Sequence, residues 1–148
     1  MEELVTALKV LLANQTFMYY KTHSYHWNIE GIEFSQYHDF FGDLYADIYA
    51  STDPTAENIR KLDAYAPISL TELYRYKTVD ENETLVVLLR DMLATLIMDN
   101  DKVIASLNRV FALGTRENKQ GLCDFIAGRL DVHEKHGWML RSSAKNIG

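Results

Sequence analysis

Four side chains of this sequence could together bind a redox-active metal ion. His26 follows His23 by three residues, and His38 lies twelve residues beyond His26. Asp53 and Glu57 are four residues apart, so on a helix their carboxylates share one face. Imidazole nitrogens combined with carboxylate oxygens suit iron or manganese better than calcium. The alternative is that each histidine is an ordinary surface or core residue and that the two carboxylates form an ordinary solvated face.

The spacing divides these candidate ligands into two pairs. Asp53 comes fifteen residues after His38, and a continuous helix of that length spans about 22 Å, too far for one metal centre. Two arrangements can still close the site. In a two-fold dimer with antiparallel second helices, the histidines of one chain meet the carboxylates of the other. Alternatively, the chain folds back sharply at Pro54.

A metal site in the middle of a single helix bundle is not indicated. Intramolecular di-iron sites use Glu-x-x-His on two helices, and no glutamate stands three residues before any of the five histidines. His133 and His136 are three residues apart near the end of the last predicted helix, where solvent exposure is the favoured interpretation. Tyrosines such as Tyr19 and Tyr45 could carry electrons, but aromatic residues at helical spacing more often serve packing.

Four long helices are predicted to position these residues. Apolar side chains recur at three-to-four spacing over about residues 3–27, from Ser35 onward, over 83–111 and over about 120–144. Gly114 and the polar residues after it are expected to end the third helix. The segment from Asp53 to Glu57 fits the start of a new helix and equally a kink in a continuing one.

The connection between the second and third helices is long. Residues 64–82 are irregular apart from a possible short helix in the segment SLTELYRY. No alternating strand pattern is present, so the sequence predicts an all-α four-helix bundle with a crossover between helices two and three. With 148 residues, the expected organisation is a single domain, residues 1–148.

Composition narrows the classes of partner. The formal net charge is −6, which repels phosphate backbones and attracts cations. The single cysteine, Cys123, can form no intramolecular disulfide. Glu2 and Glu3 stand where a signal peptide needs positive charge, and no apolar run reaches the length of a membrane span. We therefore expect a cytoplasmic protein without membrane or nucleic-acid partners.

The candidate ligands also carry a resemblance to a known family. H-x-x-H-W-N at residues 23–28, His38, Asp53-x-x-x-Glu57 and H-E-K-x-x-W-M-L at residues 133–140 resemble the Dps mini-ferritins, the DNA-protection-during-starvation proteins. The likeness runs from about residue 8 to residue 142. It implies a ferritin-like four-helix subunit with a short extra helix and a shell of twelve subunits. It also implies intersubunit sites that oxidise Fe(II) with hydrogen peroxide, the preferred oxidant, or with oxygen, before the ferric mineral is stored.

The resemblance also assigns ligands. It implies that His26, Asp53 and Glu57 bind the tighter iron, and that His38 and a bridging Glu57 bind the second. Trp27 matches an aromatic residue beside the site. A shell or binding scaffold that has lost one metal position is the competing hypothesis.

Three positions depart from the family pattern. The family has an aspartate where this chain has Gly42, and Asp43 is rotated by about 100° on the helix. Gly42→Asp is therefore expected to tighten the second iron. Pro54 removes a backbone N–H donor where the family's helix runs through the Asp-Glu pair, and a proline there can kink the helix. The lysine-rich N-terminal tail of DNA-binding members is absent, since Lys9 is the one basic residue among the first twenty, so DNA binding is expected to be weak.

Overall fold

The computed structural model describes residues 1–147, which form helices and connections without a β-strand. The helices are α1 (Glu2–Asn28), α2 (Phe34–Lys61), α3 (Leu70–Tyr76), α4 (Leu89–Arg116) and α5 (Gln120–Ala144). The predicted all-α bundle of four long helices, with a crossover between the second and third of them, is confirmed. Among these residues, no helix combines the length and the apolarity that crossing a membrane requires.

The core lies between the four long helices. α1 packs against α2 and α4, and α4 packs against α5. The fully buried side chains include Leu8, Leu11, Phe41, Leu96 and Ile126. Burial of each such side chain stabilises the folded state by about 1.5–3 kcal/mol. The apolar face that the periodicity gives each long helix is therefore turned toward the core.

α2 continues through Pro54, which excludes the fold-back at this residue. Pro54 has no N–H to donate to the carbonyl of Ala50. Nearby polar side chains bond to carbonyls within the helix instead: the hydroxyls of Ser51 and Thr55 donate to Ile48 and Ser51, and the Asn58 amide donates to Pro54. These hydroxyls and the amide are therefore paired within the helix on both sides of the proline.

The predicted helix limits needed three corrections. The third long helix, predicted from residue 83, begins at Leu89, six residues later. α2 begins at Phe34, with Glu33 and not Ser35 as its N-cap. Gly114 does not end the third long helix but lies buried within α4. A Cβ at this position would come within 2.9 Å of the Cys123 sulfur. The glycine thus permits the close approach of α4 and α5.

The short helix α3 confirms the prediction for residues 70–76. The Ser69 hydroxyl accepts a hydrogen bond from the Glu72 N–H at 3.1 Å, and the Glu72 carboxylate accepts one from the Ile68 N–H at 2.9 Å. Ser69 is thus the N-cap, and Glu72 reaches back to the residue before it, a pairing that resembles a capping box and fixes the start of a short helix.

A buried polar network joins α2, α4 and α5. Arg129 donates two hydrogen bonds to the Asp47 carboxylate, at 3.0 and 2.9 Å, and lies 2.9 Å from Nε2 of His133. Nδ1 of His133 bonds to the Asn100 side-chain oxygen, and His136 lies 2.6 Å from Asp47. The charges of α2 and α5 are therefore paired where the helices meet.

His133 is fully buried, so the prediction that it is solvent-exposed was wrong. Burial, together with the positive charge of Arg129, lowers the pKa of His133 to about 3. The ring is therefore neutral at physiological pH, with its Nδ1–H donating to Asn100 and its Nε2 accepting from Arg129. Hydrogen bonds from His136 and Arg129 outweigh burial and hold the pKa of Asp47 well below its usual range.

Candidate functional site

The structure brings His26 and His38 together. His26 lies in the last turn of α1 and His38 near the start of α2, and their rings stack with centroids 3.7 Å apart and planes 18° apart. Nδ1 of His26 lies 2.6 Å from the His38 carbonyl, and Nδ1 of His38 lies 2.7 Å from the His26 carbonyl. This reciprocal bonding fixes both side chains against the helix junction.

The same hydrogen bonds determine which ring nitrogen is available. A carbonyl oxygen only accepts, so Nδ1 of each histidine must carry the proton. Nε2 of each neutral ring is then left with its lone pair, the form in which histidine binds a metal ion. A carbonyl bonded to Nδ1 is the usual arrangement for a metal-bound histidine. The geometry of His26 and His38 therefore matches that of a pair of nitrogen ligands.

Gly42 lies directly beside this pair. A Cβ at position 42 would lie 3.1 Å from Cε1 and 3.2 Å from Nδ1 of His26. That separation is too short for a relaxed carbon contact, and His26 can yield only by weakening its bond to the His38 carbonyl. The expected gain from Gly42→Asp is therefore opposed by displacement of a ligand. Asp43 is exposed and borders a groove between α2 and α5, on a different side of the helix.

Gly42→Ala is expected to weaken Fe(II) binding at least fivefold, because the added methyl group pushes the His26 ring out of its stack. Anaerobic titration of the apo-protein with Fe(II) measures the effect. Gly128→Ala is the matched control, since a Cβ there meets no atom within 4 Å and a helical glycine replaced by alanine gains up to about 1 kcal/mol. Equal affinity in both variants would show that Gly42 does not position His26.

Asp53 and Glu57 are not close to the histidines of the same chain. Both are exposed on α2, one turn apart, and the uninterrupted helix places Asp53 about 22 Å beyond His38. Within residues 1–147, no group of three or more His, Cys, Asp or Glu side chains is arranged to hold a metal ion. We refer to His26 and His38, near one end of α2, as the histidine half-site. Asp53 and Glu57, further along α2, are referred to as the carboxylate half-site.

Aromatic rings surround the histidine half-site. Tyr45 meets the His26 ring edge-on at 5.2 Å, and Phe34 stacks on His38 at 5.0 Å. Trp27 is half exposed and packs on His23, with ring centroids 3.9 Å apart. Sequence reasoning missed Phe34, although its position four residues before His38 on one helix could have indicated the contact.

Comparisons with known proteins agree with this architecture. The family of the ferritin-like domain matches residues 5–147. An uncharacterized low temperature-induced protein of Nostoc sp. is 31% identical over 132 residues, which cover 88% of this chain and 74% of that protein. General stress protein 20U of Bacillus subtilis is 29% identical, with 95% of this chain and 97% of that protein covered.

Solved structures share the fold closely. The DPS protein of Vibrio cholerae, described as a member of a superfamily of ferritin-like diiron-carboxylate proteins, superimposes with a TM-score of 0.92 at 28% identity, over 97% of this chain and 90% of that one. Dps of Thermosynechococcus elongatus has a TM-score of 0.94 at 23% identity, with 99% and 92% covered. The second similarity concerns the fold alone.

Proposed function

The chain belongs to the ferritin-like family and resembles Dps proteins along nearly its whole length, and from this premise we propose that it is a mini-ferritin that oxidises Fe(II) and stores the ferric product. The observation that carries the proposal is the division of the ligands into two half-sites. The stacked histidines offer two Nε2 lone pairs, and the exposed carboxylates of Asp53 and Glu57 lie on the same helix beyond the reach of those histidines.

A second copy of the chain completes the site. When two α2 helices pack antiparallel about a two-fold axis, each histidine half-site faces the carboxylate half-site of the partner, which gives two equivalent sites per dimer. We propose that such dimers assemble further into a closed shell of twelve subunits in the cytoplasm. The negative charge of each chain then favours entry of cations and disfavours DNA binding.

The ligand set suits oxidation of iron as a substrate. His26, Asp53 and Glu57 give the first Fe(II) three protein donors. The second Fe(II) has only two protein donors, His38 and the shared Glu57. Water must fill the remaining positions, which leaves them open to an oxidant. Two Fe(II) ions together supply the two electrons that reduce hydrogen peroxide to two water molecules, so no hydroxyl radical is released.

Gly42 favours a second candidate, a shell with impaired iron oxidation. Without a carboxylate at this position the second iron has one protein donor fewer, and the two irons are expected to bind with unequal affinity. A shell that binds one iron but oxidises it slowly would have the same fold and assembly. Kinetics therefore separate the two candidates, and structure alone does not.

Mixing apo-protein with Fe(II) and hydrogen peroxide tests the proposed function. We expect ferric absorbance to rise at least tenfold faster than in a protein-free control, and light scattering to give a mass near twelve times the 17.1 kDa of one chain. A large assembly without accelerated oxidation would support the impaired shell. A stable monomer that still binds iron would contradict the shared site itself.

A further inference from the structure

A hydrogen-bonded tyrosine and histidine lie next to the histidine half-site. The Tyr19 hydroxyl is 3.0 Å from Nδ1 of His23. The His23 ring stacks on Tyr45 with centroids 3.8 Å apart and planes 9° apart. Tyr45 in turn contacts the His26 ring, so an unbroken series of aromatic rings connects the Tyr19 phenol with an iron ligand.

The contact between Tyr19 and His23 provides a path for a proton. Burial, followed by the charges of nearby tyrosines, raises the pKa of Tyr19, so the phenol keeps its proton near pH 7. In the His23 tautomer that carries its proton on Nε2, Nδ1 has a free lone pair and accepts the Tyr19 O–H at 3.0 Å. An oxidised phenol is strongly acidic, so a base already in hydrogen-bond contact lets the proton and the electron leave together.

We propose that Tyr19 is a redox-active residue that supplies an electron when hydrogen peroxide meets a site holding a single Fe(II). The inference rests on the proposed function. Singly loaded sites are expected because Gly42 leaves the second iron with two protein donors. One Fe(II) gives one electron, whereas the reduction of peroxide to water needs two. Without a second electron donor, the one-electron reduction releases a hydroxyl radical, which takes the missing electron from the first molecule that it meets.

The electron and proton balance of this step is complete. Cleavage of the peroxide O–O bond takes one electron from Fe(II), one from Tyr19 through the Tyr45 ring, and two protons from solvent. The products are two water molecules, Fe(III) and a neutral Tyr19 radical, while the phenol proton is held on Nδ1 of His23. A further Fe(II) then reduces the radical, and the proton returns from His23 to the phenol oxygen.

Freeze-quench electron paramagnetic resonance tests the role of Tyr19. Apo-protein loaded with one Fe(II) per site is mixed with one equivalent of peroxide. We expect a tyrosyl signal, narrowed by ring-deuterated tyrosine, that falls at least tenfold in Tyr19→Phe, a variant that keeps the ring. Spin-trapped hydroxyl radical should rise in the same variant. Tyr20→Phe is the matched control, because it removes a phenol hydroxyl from the adjacent, mostly exposed residue.

Ferric absorbance in the same samples separates failure of this inference from failure of the proposed function. A tyrosyl signal of equal size in Tyr19→Phe, or a radical located on Trp27, overturns the role of Tyr19 while ferric formation continues. Absence of ferric formation in the unmodified protein overturns the proposed function, and the inference falls with it. His23→Phe, which keeps a ring in the stack but removes the proton acceptor, should also reduce the signal.

Discussion

Shells assembled from a mixture of His26→Ala and Glu57→Ala chains are expected to regain iron oxidation that each variant alone has lost. Either substitution removes a proposed ligand of the tighter iron and should slow oxidation by roughly 100-fold. In a dimer containing one chain of each kind, one site carries both defects and the other carries none. Random assembly from equal amounts therefore restores about one quarter of the sites, because half of the dimers are mixed.

The matched control combines two variants of the same half-site. A mixture of Asp53→Ala and Glu57→Ala chains contains no intact carboxylate pair, so every site stays defective and the rate stays low. Initial rates of ferric formation, measured after joint unfolding and reassembly, give the comparison. Recovery in neither mixture would contradict an intersubunit site, provided that light scattering shows mixed shells.

The stability of the subunit is expected to fall steeply as the pH falls from 7 to 4. In the folded state His133 stays neutral down to a pKa of about 3, whereas an unfolded histidine takes up a proton near pH 6.5. The unfolded state therefore binds more protons across this window, and each pH unit below 6.5 favours it. The loss reaches at most about 5 kcal/mol by pH 3. Asp47, whose pKa is lowered, adds to the loss below about pH 4.

His133→Gln isolates the histidine from the other groups. The amide can still bond to Asn100 or Arg129 but does not titrate, so the variant should lose about 1–3 kcal/mol at pH 7 and show a flatter decline between pH 6.5 and 4. Denaturant unfolding of the apo-protein at several pH values measures both effects. A decline as steep as that of the unmodified protein would mean that another buried group dominates acid sensitivity.

Periodicity was sufficient to predict the helical architecture, because long amphipathic segments leave few alternatives. The limits of α5, residues 120–144, agree with the prediction, and those of α1 agree within one residue at each end. Pro54 left the course of α2 open, and Gly114 was wrongly expected to end the third long helix, for a common reason. Each disfavours a helix locally, but the surrounding packing and side-chain hydrogen bonds decide the outcome, and these involve residues distant in sequence or on the neighbouring turn.

Only part of the candidate site could be predicted from the sequence. Helix length alone separated the histidines from the carboxylates, since 1.5 Å per residue is a fixed property of the helix. The reciprocal bonds between His26 and His38, and the burial of His133 against Asn100, depend on how two helices approach each other. No spacing along one helix contains that information, which is why His133 was placed in solvent.

Under the proposed function, the uninterrupted length of α2 also determines when iron oxidation can begin. A newly synthesised chain carries two separate half-sites, and neither provides the full ligand set of the proposed reaction. At high dilution the oxidation rate should depend on the square of the chain concentration, and it should become linear once every chain has found a partner. The length of α2 would thereby delay iron oxidation until the subunits have begun to assemble into the proposed shell that stores the ferric product.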